Sequence, residues 1–388
     1  MSFSRFEQAL AEAVGQGRIA GAVALVTDRE GPVYQHALGL RTVGAPAAMD
    51  AGTVFWIASM TKALVSVAAL QLVEQGKLSL DGDLVGLLPE LGGLQVLDGV
   101  DASGQPKLRP ARTAVTLRQL LTHTSGFAYG FTSPAHVAYA AATGAPDAAS
   151  GTRAAQLQPL AFDPGQGFIY GIGIDWAGLA IEAASGQRLD AYLAQHVTGP
   201  LGMADTGFAL SADQTARQAG VHVRGPDGGL IPIPFALPPN PEVLSGGGGL
   251  YSTVPDYARF LRMLMNEGRS GGVQVLSAET VRGLAEIQTG PEPVGGFTSA
   301  LPNMSNDFDP HPHMGSGHGL ATFVAPAATG GGRAAGSLAW AGLANTYYWA
   351  DPASGKGGVL MTQLLPFADP EVLALLRVLE RDSYGVAS

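Results

Sequence analysis

The chain has 388 residues, enough for roughly two or three structural units or one large unit with an insertion. Hydrophobic residues make up 46% and charged residues 14%, which excludes a disordered chain, and the absence of cysteine excludes disulfides, thiolate catalysis and every Cys-based metal site. A net charge of −10 with no basic run makes nucleic acid and anionic membranes poor partners, and points to a small or neutral substrate.

The first residues show no basic segment followed by an apolar one, and no stretch approaches about 18 uninterrupted apolar residues, so a cytoplasmic protein is expected. Phe6, Leu10, Ala13 and Val14 recur at helical spacing over residues 5–16, and Gly15 and Gly17 stop that helix. Residues 20–26 and 33–38 are short apolar runs split by Asp28-Arg29-Glu30-Gly31-Pro32, which predicts an antiparallel hairpin. A helix over 60–75 is apolar all round its axis and is therefore expected at the centre of the molecule.

From about Leu78 to Met203 the pattern is helix, loop, helix, with periodic segments at 117–123, 175–185 and 189–197. Residues 225–245 hold six prolines and are expected as loop, as are residues 290–317; a helix over 255–266 lies between them. Strands return at 319–324, 337–340, 346–349 and 358–364, and a helix over 370–381 closes the chain. The expected fold is α+β: an antiparallel sheet built from both termini and flanked by helices, with an inserted mainly helical domain. Residues 1–75 with 290–388 would form the first unit and 76–289 the second, with a cleft between them.

A GxSxG pattern occurs once, at Gly268-Arg269-Ser270-Gly271-Gly272. With 22 Ser and 54 Gly, chance alone supplies about 0.4 such matches, and the context of helix before and strand after reverses the order a nucleophile elbow needs. Ser270 reads as part of a surface turn. Ser59-Met60-Thr61-Lys62 is more informative, because the chain has only four lysines and chance supplies roughly 0.2 S-x-x-K matches. Lys62 enters the first turn of an otherwise apolar helix, where an unpaired ammonium is expensive. Helical spacing puts Ser59 and Lys62 on one face, so the amine can reach the hydroxyl, and the helix N-terminus favours a developing alkoxide. The alternative is that Ser59 caps the helix and Lys62 extends to water.

Around this motif stand Phe55-Trp56-Ile57-Ala58 and Leu70 to Asp81; further on come Leu120-Leu121-Thr122-His123-Thr124-Ser125-Gly126, Gly199-Pro200-Leu201-Gly202-Met203, Gly247 to Thr253 and Gly358 to Gln363. Together and in this order they closely resemble the serine hydrolases of class C β-lactamase fold, most of all their ester-cleaving branch, the family VIII carboxylesterases. The resemblance runs from about residue 15 to residue 365 and is weakest in the two Pro- and Gly-rich loops.

The resemblance implies that Tyr170 is the tyrosine opening the family's second motif, and that it shares proton transfer with Lys62 while Ser59 is the nucleophile. The lactamases place an amide or hydroxyl two residues after this tyrosine, whereas Ile172 stands here, so a donor for a lactam side-chain amide is missing. The third motif, K-T-G in the lactamases, corresponds to Trp340-Ala341-Gly342, followed by Leu343. Trp in place of Lys removes the cation that would hold a carboxylate and leaves an apolar wall; read without the family, Trp340 is an ordinary core aromatic on a sheet. By the same correspondence Trp340 and Gly342 line the substrate site, and the backbone N–H groups of Ser59 and Leu343 form the oxyanion hole. His123 looks structural at a helix end, and His311-x-His313 with His318 is accompanied by no carboxylate-bearing helix, so no metal is expected there. The function expected is hydrolysis of short-chain carboxylic esters through an acyl-enzyme on Ser59, with a small-molecule ester as partner and no cofactor. An acyltransferase of the same fold is the first alternative; a β-lactamase or D-Ala peptidase is the second.

Overall fold

The structure, a computed structural model, describes residues 2–311, 314–320 and 322–386. Its centre is a seven-stranded antiparallel sheet in the order Gly317–His318, Phe323–Val324, Leu338–Gly342, Thr346–Asp351, Lys356–Met361, Gly21–Thr27, Pro32–Gly39. Strands from the two ends of the chain lie side by side as the fifth and sixth of this sheet, where Val23 stands opposite Met361 and Thr27 opposite Gly357. Gly21–Thr27 is buried at every position, which is why it reads as a continuous apolar run and not as an alternation. The helices Ser4–Gly15 and Pro370–Tyr384 pack on each other and on the sheet, the first through Phe6, Leu10 and Ala13. Helix Val254–Met265 packs on the three central strands, so this part of the 76–289 region sides with the sheet.

The apolar helix is Thr61–Glu74, preceded by a 3₁₀ turn at Ala58–Met60, and twelve of its residues are buried, Lys62 among them. It packs against helix Gly173–Ser185, whose Gly173 lets it close on a neighbour: a Cβ there would lie 2.7 Å from the Leu120 carbonyl oxygen. The regular elements of the region 76–289 are chiefly helices joined by long loops, and it also holds a hairpin, Gln95–Val100 with Pro106–Pro110. A register shift at Leu97/Gly99 breaks the alternation of that hairpin, and its second strand is largely exposed, so neither strand carries the periodic signal of a half-buried one. Within the proline-rich stretch Leu230–Pro232 forms an edge strand on His222–Arg224, a place where a residue lacking an N–H is tolerated. The strand expected over 319–324 is instead the pair Gly317–His318 and Phe323–Val324, and Ala321 between them lies outside the described residues. Among the described residues no helix is long and apolar enough to cross a membrane.

Candidate active site

Ser59 lies where the chain leaves the short strand Phe55–Trp56, paired with Tyr251–Ser252, and enters the Thr61–Glu74 helix. The turn is made at Ala58, which has φ 42°, a region costing a residue with a Cβ roughly 1–2 kcal/mol. Neighbouring hydrogen bonds hold this conformation: Ile57 N–H donates to Leu250 O (3.0 Å), Leu250 N–H to Thr61 Oγ1 (3.1 Å) and Tyr257 Oη to Met60 O (2.9 Å).

Lys62 is 0% exposed, and its Nζ stands 3.1 Å from Ser59 Oγ, 3.1 Å from Tyr129 Oη and 2.6 Å from Gly247 O. The helix is capped at Met60 with no side-chain cap bond, so Ser59 does not serve as its cap and Lys62 does not extend to water. Burial pushes the Lys62 amine down to about 7, and the nearby Asp175 carboxylate works in the opposite direction. An amine so placed has a substantial neutral fraction at neutral pH and a lone pair available beside the Ser59 hydroxyl.

Tyr170 is brought to the same place by the segment before helix Gly173–Ser185. His123, with φ 57°, brackets it: Ile169 N–H donates to His123 O (3.0 Å) and Gly171 N–H to His123 Nδ1 (3.3 Å). Gly171 passes so close to the Phe127 backbone that a Cβ would lie 2.0 Å from its carbonyl oxygen. The role of His123 in the LLTHTSG motif is thereby specific, since both of its bonds fix the backbone on either side of Tyr170. The Tyr170 ring centroid lies 4.8 Å from Lys62 Nζ, and its hydroxyl accepts from Trp340 Nε1 at 3.3 Å. Burial pushes the Tyr170 phenol upward, only partly offset by its hydrogen bonds with Ser59 and Trp340, so it stays protonated.

Trp340 sits on strand Leu338–Gly342, 4% exposed, with its ring edge-on to Tyr170 at 5.1 Å and tilted against Phe323 at 4.8 Å. Gly342 ends that strand against the chain entering Ser59; a Cβ there would lie 2.2 Å from Ile57 O and 2.3 Å from Thr346 Oγ1. Leu343 follows, partly buried, between two apolar clusters. On one side a narrow open cleft is lined by Ser59, Tyr170, Trp340 and Leu343 together with Phe131, Phe297 and Phe367. On the other, Phe235 and Leu237 of the proline-rich loop pack on Trp56 and Tyr251. Among the described residues the lining of the cleft carries no charged side chain, and Ile172 is wholly buried in the core.

Ser59, Lys62, Tyr170, Trp340, Gly342 and Leu343 thus converge, as the motifs lead one to expect. Tyr129 was not legible beforehand: it lies in a loop, and no spacing rule ties it to Lys62. The hint was its place in the segment directly after Gly126, the loop that also carries His123. Asp175 entered only as the start of a helix, and its part in the site rests on a turn 70 residues further along the chain. Ser270 lies in a two-stranded hairpin, Arg269–Ser270 with Val273–Gln274, and among the described residues hydrogen-bonds to no lysine or histidine side chain. His311 is exposed, His318 is buried against His123, and His313 lies outside the described residues. Among the described residues no group of three or more His, Asp or Glu side chains is placed to hold a metal ion.

Comparison with known proteins gives a consistent picture. The family model described as Beta-lactamase matches residues 6–382. The monacolin J acid methylbutanoyltransferase of Aspergillus terreus is 33% identical over 402 residues, covering 98% of this chain and 95% of that protein. The lovastatin esterase of Penicillium rubens is 30% identical over 387 residues, covering 94% of each. Among solved structures, unliganded simvastatin synthase (LovD) from Aspergillus terreus superposes with a TM-score of 0.83 at 31% identity, over 99% of this chain and 98% of that one.

Proposed function

The chain belongs to the Beta-lactamase family, in its serine hydrolase and acyltransferase superfamily, and from that premise we propose that it cleaves short-chain, uncharged carboxylic esters through an acyl-enzyme on Ser59. The observation that carries this reading is the buried Lys62 amine, pushed down to about 7 and within hydrogen-bonding distance of Ser59 Oγ. In its neutral form the amine keeps N–H donors for Gly247 O and Tyr129 Oη and turns its lone pair to the Ser59 hydroxyl. As Ser59 Oγ bonds to the ester carbonyl carbon, its proton passes to Lys62 Nζ. The oxyanion that forms is received by the backbone N–H groups of Ser59 and Leu343. Collapse breaks the bond to the leaving alcohol, which takes a proton relayed from Lys62 through the Tyr170 hydroxyl. Tyr170, held protonated, serves as relay and not as a standing phenolate base.

The second half of the reaction repeats these steps with an incoming hydroxyl, either of water or of an alcohol. The cleft fits an uncharged acyl group, since Trp340, Phe131, Phe297 and Phe367 surround the space next to Ser59 and, among the described residues, no cation lines it. A second reading, acyl transfer to an alcohol, is favoured by the 33% identity to a methylbutanoyltransferase across nearly the whole chain. An acyl-chain series of p-nitrophenyl esters, run with and without a primary alcohol, separates the two. Free acid as the sole product in both runs is the expected result for a hydrolase, and a new ester that grows at the acid's expense identifies a transferase. Failure to turn over any ester of the series would reject the proposed chemistry.

A further inference from the structure

Asp175 is 2% exposed at the first turn of helix Gly173–Ser185 and is not one of the groups that touch Ser59. Its Oδ1 accepts from Ser245 Oγ (2.8 Å) and from the backbone N–H of Gly247 (3.1 Å). Gly247 then presents its carbonyl to Lys62 Nζ at 2.6 Å. One residue is thus gripped by the carboxylate through its N–H and binds the amine through its C=O. A Cβ at 247 would lie 2.7 Å from both Asp175 Oδ2 and Tyr129 Oη, so a larger residue would displace the groups flanking Lys62, and a Cβ at Gly246 would lie 2.7 Å from Ile174 O.

A buried carboxylate is costly unless it is bonded and has a charge to face. The charged and titratable groups around the pair come from every neighbouring element. Lys62 comes from the Thr61–Glu74 helix, Tyr129 and His123 from the segment after Leu117–Leu121, and Tyr170 from the approach to Gly173; His318 comes from the sheet edge, and Asp147 acts on Tyr129. His123 and His318 are both pushed down by burial, His318 to about 4, and remain neutral at neutral pH. Tyr129 is pushed well up by burial and stays protonated. Burial raises the Asp175 carboxyl, while Lys62 and the bonds from Gly247 and Ser245 favour its ionised form, and it is the carboxylate of this group that acts on Lys62.

We propose that Asp175 is a positioning residue for Lys62, fixing through the Ser245–Gly247 turn the carbonyl that orients the amine and supplying the carboxylate charge that offsets the amine's burial. The inference rests on the reading of Lys62 as the base that takes the Ser59 proton. Without Asp175 the amine would be both less well aimed and less able to hold a proton. A carboxylate close to an amine raises its proton affinity by about one to three pK units, so removing the charge moves the amine's titration to lower pH.

The test is the pH dependence of kcat/KM for p-nitrophenyl butyrate, whose acid limb reports the free enzyme's essential base. Asp175→Asn keeps an acceptor oxygen for Ser245 and Gly247 but removes the charge, and should shift the acid limb down by about one unit or more. Asp175→Glu keeps the charge in a longer side chain, and should lower kcat while leaving the limb in place. Should Asp175→Asn fail to fold, Asp175→Ser, smaller and also neutral, carries the same readout. A neutral variant that loses activity by the same factor at every pH, with its limb unmoved, overturns the proposal. Fluorophosphonate labelling, with the adduct located by peptide mass mapping, keeps the two readings apart. Label on Ser59 with an unmoved limb rejects only the role of Asp175, whereas label elsewhere rejects the underlying reading.

Discussion

Ser59→Ala should reduce turnover of a short-chain ester by about 10⁴-fold or more, the scale seen when one member of a catalytic group that acts as a unit is lost. The effect is large because Ser59 carries the hydroxyl that both meets the Lys62 amine and lines the cleft, whereas burial makes the Tyr129 and Tyr170 phenols harder to ionise. Ser270→Ala should leave turnover unchanged, since its GxSxG pattern is the tip of a hairpin, with Gly271 and Gly272 both at positive φ, and among the described residues Ser270 hydrogen-bonds to no lysine or histidine side chain. Fluorophosphonate should label Ser59 in the unmodified chain and in Ser270→Ala alike. An adduct on Ser270, or Ser59→Ala retaining more than a few per cent of its activity, would reject the assignment.

The second large effect concerns substrate choice. A short-chain activated ester should be cleaved with a kcat/KM about 10² to 10⁴ times that for ring opening of a chromogenic cephalosporin. A cephalosporin brings a carboxylate and an acylamino group, and each polar contact of that kind that goes unmade costs about 1.5 to 3 kcal/mol. The position from which the lactamase motif offers a lysine holds Trp340, whose one donor is turned to Tyr170. Two residues beyond Tyr170, where an amide would reach the acylamino group, Ile172 is buried in the core. An ester of a short acid asks for neither contact and presents only apolar surface to Phe131, Phe297 and Phe367. Ring opening and release of any ester side chain must be scored separately. Equal or greater efficiency in lactam opening would place the chain's specificity with the lactamases.

Much of the fold was legible because its signals are local. The central strands announce themselves as unbroken apolar runs, and the Thr61–Glu74 helix as a segment apolar all round, both consequences of complete burial. The hairpin at Gln95–Val100 was not legible, since a register shift breaks its alternation and its partner strand packs little apolar surface. In the site the same division holds. Ser59 and Lys62 are three residues apart on one turn, and their pairing follows from helical spacing. Tyr129, Gly247 and Asp175 meet Lys62 only through tertiary contacts, two of them made or received by backbone atoms whose residue type carries little message. A glycine at 247 records that something passes close by, but not what.

The buried amine of Lys62 also bears on how firmly the chain holds its shape. In the unfolded chain Lys62 keeps its proton up to its ordinary value of 10.5, whereas in the folded chain it gives it up near 7. Across that window the unfolded state binds more protons, so folding stability rises with pH and is poorest below about 7. Each unit of difference is worth about 1.4 kcal/mol, which makes the handicap at neutral and acid pH of the order of several kcal/mol, a large share of what a domain has in hand. Lys62→Met fills a similar volume with nothing to ionise, and in an Asp175→Asn background it leaves no buried carboxylate without the charge it faces. The double variant's melting temperature should exceed that of Asp175→Asn below pH 7, and the gap should narrow as the pH is raised. A gap that stays constant with pH would show that the lysine's proton plays no part. The most reactive point of the molecule is, on this account, also a weak point of its fold.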